Sequence, residues 1–429
     1  MNVERLFLLK NVRLISPDER RSDGVDVFFS VKGGQSRILQ TGKNLRIKEQ
    51  DGLRVTNMHG ALACPAFTDL RSALPYLESG GEESLETFLK SAMRGGVART
   101  LARPFRYSPN AASRCTALIE RTLSGSCRIL PAAPLTVGTG DALSPAPFAE
   151  LGGAGALAVS ADSERTEPTA AHLLEGLRAC KGQGMLFIAP HTEKSLQGRG
   201  ANKGAYAKTL KIEGEDPMSE ILALSRAITL AEREQAAVHF PLVTLKESVR
   251  MIEAAKGRGV SLTCATAPPY FSFTESELFF SGKVARLSPP LRTEEDRMAV
   301  IEGLRDGVID AVCSDHTALP KDHVDRGMPL GSSGFETLFG AGVTHLVLPG
   351  HLSLYRFLQL ITTAPAKILG VDCAIKEGNP LDLVFIDPDS PMVYTHQTLL
   401  TRGFNTPFFG KSLCGRVTGG YYNGVKRGD

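Results

Sequence analysis

Residues 82–101 read Glu82-Glu83-Ser84-Leu85-Glu86-Thr87-Phe88-Leu89-Lys90-Ser91-Ala92-Met93-Arg94-Gly95-Gly96-Val97-Ala98-Arg99-Thr100-Leu101. The spacing predicts a helix from Glu82 to Arg94, Gly95-Gly96 suits its C-cap, and Gly96 to Leu101 reads as the next strand. The cycle recurs along the chain. Leu173 to Cys180 reads as helix and Met185 to Ala189 as strand; Ser219 to Glu232 is followed by Ala236 to Phe240, and Glu294 to Leu304 by Ile309 to Cys313. Strand and helix in repeated alternation imply a parallel sheet, and over this length a closed (β/α)8 TIM-type barrel is favoured over an open sheet.

The two ends have a different texture. Leu6 to Leu9, Val25 to Phe29, Ser36 to Leu39, Asp382 to Asp387 and Gly415 to Gly424 are short β-type runs separated by turn signals. They predict an α/β chain in which both termini, residues 1–62 and 377–429, build one small β-sandwich around a barrel of residues 63–376. With 429 residues, 42% of them hydrophobic, the chain can bury a full core and a smaller second one. A net charge of +3, with Lys and Arg scattered among Asp and Glu, argues against a nucleic-acid partner. The eight cysteines form no C-x-x-C pair, as expected for reduced thiols in a cytoplasmic protein. No apolar run approaches the roughly 20 residues needed to span a bilayer, so no membrane role is expected.

Five motifs narrow the reading. Pro65-Ala66-Phe67-Thr68-Asp69-Leu70-Arg71-Ser72-Ala73-Leu74 resembles P-G-F-I-D-L-H-x-H-L, and Leu287-Ser288-Pro289-Pro290-Leu291-Arg292 resembles N-P-P-L-R. Asp306 to His316 resembles D-G-x-I-D-x-I-x-S-D-H, Gly334-Phe335-Glu336-Thr337 resembles G-x-E-T, and Phe404 to Phe408 contains N-T-P-F. In this order they make the chain similar, over nearly its full length, to dihydroorotases of the amidohydrolase superfamily.

The resemblance implies a two-metal hydrolase, in which paired divalent ions polarise a ring amide carbonyl and activate a bridging water. Carried over residue by residue, the first-strand His-x-His falls on Arg71 and Ala73, and a later histidine falls on Leu242. The middle acid falls at Ala161 or Asp162; His191 and Asp315 are retained. A guanidinium that stays protonated has no lone pair to give a cation. The positions that hold substrate are altered as well, at Pro75, Phe105 and Ser288. The resemblance therefore implies vestigial catalytic positions at Asp315, His191 and Asp162, degenerate metal positions at Arg71, Ala73 and Leu242, and no metal cofactor, with zinc as the alternative.

Structural readings stand beside these. Asp315 reads as a strand-end acid bonded to backbone or to an arginine, and His191 as a packed or hydrogen-bonded histidine at the mouth. Arg71 either fills the vacated metal space, paired with Asp315 or Asp162, or has no such role. His239 reads as a strand residue facing a neighbour, Cys313 as a packing thiol, and Gly198 to Gly204 as a flexible loop rather than a phosphate cradle. The implied function is a catalytically inactive dihydroorotase homologue that partners aspartate carbamoyltransferase in a homo- or hetero-oligomer. The alternatives are an active cyclic amidohydrolase with a mononuclear site on His191 and Asp315, and a barrel that senses a metabolite.

Overall fold

The computed structural model describes residues 4–48, 52–74, 83–103, 111–122, 126–137, 143–161, 168–327 and 331–428. Eight parallel strands follow one another in chain order: Phe67–Ser72, Val97–Ala102, Arg128–Pro134, Ala158–Ser160, Leu186–Ile188, Val238–Phe240, Leu262–Thr266 and Ala311–Val312. Each pairs with the next. The eighth returns to the first through a single parallel bridge, Ser72 to His316, where the Ala73 N–H donates to the His316 carbonyl at 2.7 Å. The first two strands are buried at every residue, and the polar side chains among them, Thr68, Asp69, Arg71, Ser72, Arg99 and Thr100, are buried with the apolar ones. The expected barrel with a terminal sandwich is the fold observed.

Helix starts depend on reciprocal caps. Ser84 with Thr87, Thr169 with His172 and Thr293 with Asp296 each form a capping box, satisfying N–H groups that a helix leaves open. The first helix accordingly begins at Leu85, after Ser84, and not at Glu82; Glu83 is left outside it. Gly95 caps the helix with φ −78°, and Gly96 takes the left-handed conformation at φ +86°. Gly95 is required for a different reason: a Cβ there would lie 2.1 Å from the Phe335 carbonyl oxygen.

Both termini contribute to one sheet, ordered Val425–Arg427, Ser412–Tyr422, Leu383–Val393, Leu62–Pro65, Arg5–Ser16, Arg21–Lys32 and Gln35–Gly42. Leu53–Asn57 and Leu62–Pro65 run parallel to Arg5–Ser16, and the other pairs are antiparallel. The sheet has its own core around Leu9, Val27, Phe29, Ile38, Leu383 and Tyr421. Phe29 stacks on Phe7 at 5.0 Å and meets Tyr421 edge-on at 5.8 Å.

Only Ala66 separates this sheet from the first barrel strand. Asp382 joins the two units: one carboxylate oxygen accepts from Arg99 at 2.6 Å and from Arg128, the other from the Asn423 N–H at 2.7 Å. Both arginines lie toward the N-terminal ends of their strands, so this anchor lies opposite the mouth. Residues 394–411 leave the sheet and cross the mouth side, where Asn405 bonds Leu319, Ser333, and the carbonyls of Thr317 and Gly331. Among the described residues no helix is long and apolar enough to cross a membrane. All eight cysteines are free thiols.

Candidate functional site

The site is built where the first and eighth strands meet at the mouth. Asp69 accepts the Ser314 N–H at 2.7 Å, the Ser314 hydroxyl at 2.9 Å and the Thr100 hydroxyl at 2.7 Å. Burial nevertheless pushes the Asp69 carboxyl up to about 6, because desolvation outweighs these bonds. Held through Ser314, the chain turns at Asp315, which adopts φ +50°, a left-handed conformation that aspartate tolerates. Gly334 of the Gly-Phe-Glu-Thr stretch lies directly on this turn, since a Cβ there would come within 1.9 Å of the Ser314 carbonyl oxygen. The turn delivers the Asp315 carboxylate to Arg71, whose Nε donates to Oδ1 at 2.7 Å. Their side chains are 4% and 3% exposed.

Three neighbours complete the mouth. The His191 imidazole is held down to about 3, first by burial and then by the Arg71 guanidinium, so it is neutral at pH 7. The Tyr270 hydroxyl donates to the Pro289 carbonyl at 2.9 Å; burial and then the Asp315 carboxylate push its phenol well up. Arg103 donates to the Thr317 hydroxyl at 2.8 Å. Arg71, His191 and Asp315 are therefore brought together, with the ion pair going to Asp315. Ala73 is half-buried at the strand end, Leu242 is core at 1% exposure, and Ser288 accepts a bond from Gln197. Asp162, Pro75 and Phe105 lie outside the described residues.

Comparison with known proteins bears on this arrangement. Residues 156–426 match the family described as "Amidohydrolase family". Dihydroorotase of Aquifex aeolicus (strain VF5) is 30% identical over 419 residues, covering 96% of each chain. That of Geotalea daltonii is 32% identical over 419 residues, covering 95% of this chain and 96% of its own. The chain belongs to the amidohydrolase family. Among solved structures, L-hydantoinase (dihydropyrimidinase) from Arthrobacter aurescens superposes with a TM-score of 0.82 at 19% identity, covering 99% of this chain and 96% of that one. A D-hydantoinase from Thermus sp. gives 0.80 at 20%, covering 98% and 95%. At these identities the likeness is one of fold.

The donor set of this amidohydrolase does not fit the two-metal centre that the resemblance implies. Where imidazoles are needed, the mouth presents a protonated guanidinium at Arg71, a methyl group at Ala73 and a buried isobutyl group at Leu242. Asp315 already accepts from Arg71. Among the described residues no group of three His, Cys, Asp or Glu side chains could hold a metal ion. His239 bonds Thr263 through Nδ1 at 2.9 Å, and its imidazole is held down to about 3 by burial. Cys313 is fully buried, with burial pushing its thiol well up, as a packing residue requires. Gly198 to Gly204 is partly ordered: Ala201–Asn202 forms a short strand paired with Gly214–Glu215.

Three polar centres escaped the sequence reading. Arg292 donates to Asn202 at 2.9 Å, Glu215 at 3.0 Å and Thr244 at 3.2 Å, with Glu220 at 3.7 Å. Glu83 accepts from the Thr401 hydroxyl at 2.8 Å and the Arg402 N–H at 3.2 Å, and its other oxygen lies 3.1 Å from His316 Nε2. Glu336 accepts the N–H groups of Leu400 and Thr401. Only Arg292 and Glu336 stood in a recognised motif; acids such as Glu83 and Glu215 carry no local signal.

Burial pushes the Glu336 carboxyl from 4.5 up to about 7. The folded state thus holds this proton more tightly than the unfolded one, so the contribution is full below pH 4.5 and is lost as pH rises toward 7. A shift of this size is worth about 3 kcal/mol. Glu336→Gln, compared with the parent by urea unfolding, should gain relative stability by about that amount between pH 4.5 and pH 8. A stability difference independent of pH would refute the assignment.

Proposed function

We propose that this amidohydrolase-family chain is a dihydroorotase-like protein that has lost hydrolytic activity and acts as an assembly subunit for aspartate carbamoyltransferase in pyrimidine biosynthesis. The observation that carries the first half is the Arg71–Asp315 ion pair: an internal guanidinium takes the one carboxylate of the retained set that is described. A metal-activated water needs acids free to bind the metal, and this pair already engages Asp315. The assembly role follows from the resemblance of the sequence to degenerate dihydroorotases that serve this transferase. A barrel without turnover would still supply a rigid outer surface to such a partner.

Purified under mild conditions, the chain should hold well under one zinc per molecule by elemental analysis and should not turn over dihydroorotate. Arg71→His, Ala73→His and Leu242→His combined should leave turnover undetectable, because Pro75, Phe105 and Ser288 would still misplace the substrate. One or two tightly held zinc ions together with dihydroorotate hydrolysis in the unaltered chain would establish the active hydrolase reading instead.

A further inference from the structure

Two adjacent aromatic side chains lie open on the mouth rim. Phe280 is 82% exposed and Phe279 50%, on the short helix Glu277–Ser281 that follows the seventh barrel strand. Phe279 is backed at 5.3 Å by Tyr206 of the short helix Ala205–Thr209. The platform beneath is cross-linked: Asn202 donates to Glu275 at 2.9 Å, Arg292 to Asn202 at 2.9 Å, and Gln197 to Ser288 at 2.9 Å. An aromatic pair on a preorganised support loses little freedom when covered, which is the character of an interface anchor.

Most of the carboxylates around it already have cation partners, Asp325 beside Lys283 and Glu275 beneath being the exceptions among the described residues. Glu277 is engaged by Lys411 and Ser281, Glu213 by Arg199, and Asp216 by Lys203. Lys283 and Arg286 donate only to the backbone carbonyls of Asp325 and Gly327. Among the described residues neither they nor Lys208 and Lys211, close to Tyr206 in sequence, have a carboxylate within ion-pair distance. We propose that Phe279 and Phe280, backed by Tyr206 and followed in the chain by Lys283 and Arg286, with Lys208 and Lys211 close to Tyr206 in sequence, anchor a protein-docking surface whose partner offers an apolar socket ringed by carboxylates. Two rings on a rigid rim are a small apolar area for holding a bilayer, whereas they match the few central residues that dominate a protein interface. This rests on the reading of the chain as a partner-binding subunit, and the transferase is the partner to test.

The test is titration of the full-length chain with aspartate carbamoyltransferase of the same organism, at low and high salt. Phe280→Ser should weaken binding at least about tenfold with unchanged melting, because that ring is 82% exposed, and Phe279→Ser/Phe280→Ser should weaken it further, with a thermal melt to show that the loss of the Tyr206 contact leaves the variant folded. Lys283→Glu should slow association and flatten its salt dependence. Leu348→Ser, at a 58% exposed site elsewhere, should change nothing. Binding by the unaltered chain that the double serine variant retains overturns this surface and leaves the assembly role standing. Absence of binding by the unaltered chain overturns the assembly role itself. Phe280-dependent binding to phosphatidylserine vesicles, or Phe280-dependent self-association without transferase binding, overturns the proposed partner.

Discussion

Arg71→Met is expected to destabilise the fold by about 3–5 kcal/mol, because it leaves the Asp315 carboxylate, 3% exposed, without its cation. The cost lies in stranding a desolvated charge rather than in the net worth of the pair. Arg71→Met/Asp315→Asn should therefore recover most of the loss, since a neutral amide tolerates the φ +50° of this turn and leaves no uncompensated ion. Urea midpoints of the parent, both single variants and the double variant form the required cycle. A single variant within about 1 kcal/mol of the parent, or a double variant no better than the single one, would show that the pair does not hold the mouth. In a two-metal hydrolase the same position would be a ligand, and its replacement would act on activity first. Here the effect should fall on stability alone.

The second large effect concerns the transferase. Aspartate carbamoyltransferase expressed without this chain should be poorly assembled and of low activity, and addition of the chain should restore it. Restoration should persist with Arg71→Met/Asp315→Asn and His191→Ala in place, because an interface of typical size, roughly 800 Å² per partner, would use surface positions rather than these buried mouth residues. A thermal melt of the variant separates loss of fold from loss of function. A folded mouth variant that fails to restore the transferase would assign a role to the interior, and the metabolite-sensing reading would then replace the structural one.

Residues 82–101 announced the fold because what they encode is local. Apolar period, a glycine pair and a following apolar run each depend on neighbours within a few residues, and repetition of that unit leaves little besides a barrel. Local chemistry even sets the helix start, since Ser84 and Thr87 cap each other across three residues. The poor ligands at three positions were legible for the same reason: the guanidinium of Arg71, the methyl group of Ala73 and the isobutyl group of Leu242 offer a metal no donor lone pair in any fold.

Partner choice was not legible. Arg71 pairs with Asp315 across 244 residues of sequence, while its other candidate partner, Asp162, lies outside the described residues. The contact to Asp315 exists because Asp69 grips Ser314 and tilts the following residue into a left-handed turn. The same holds for Asp382 between Arg99 and Arg128, for Arg292 among Asn202, Thr244, Glu215 and Glu220, and for the strap held by Glu83, Glu336 and Asn405. By itself the sequence determined the alternation that closes the barrel, the strands at the two ends, and the absence of imidazoles at positions 71, 73 and 242. Which buried charge answers which was decided only when the barrel closed, because desolvation makes each such charge depend on whatever group the fold brings within about 3 Å, however distant in the chain.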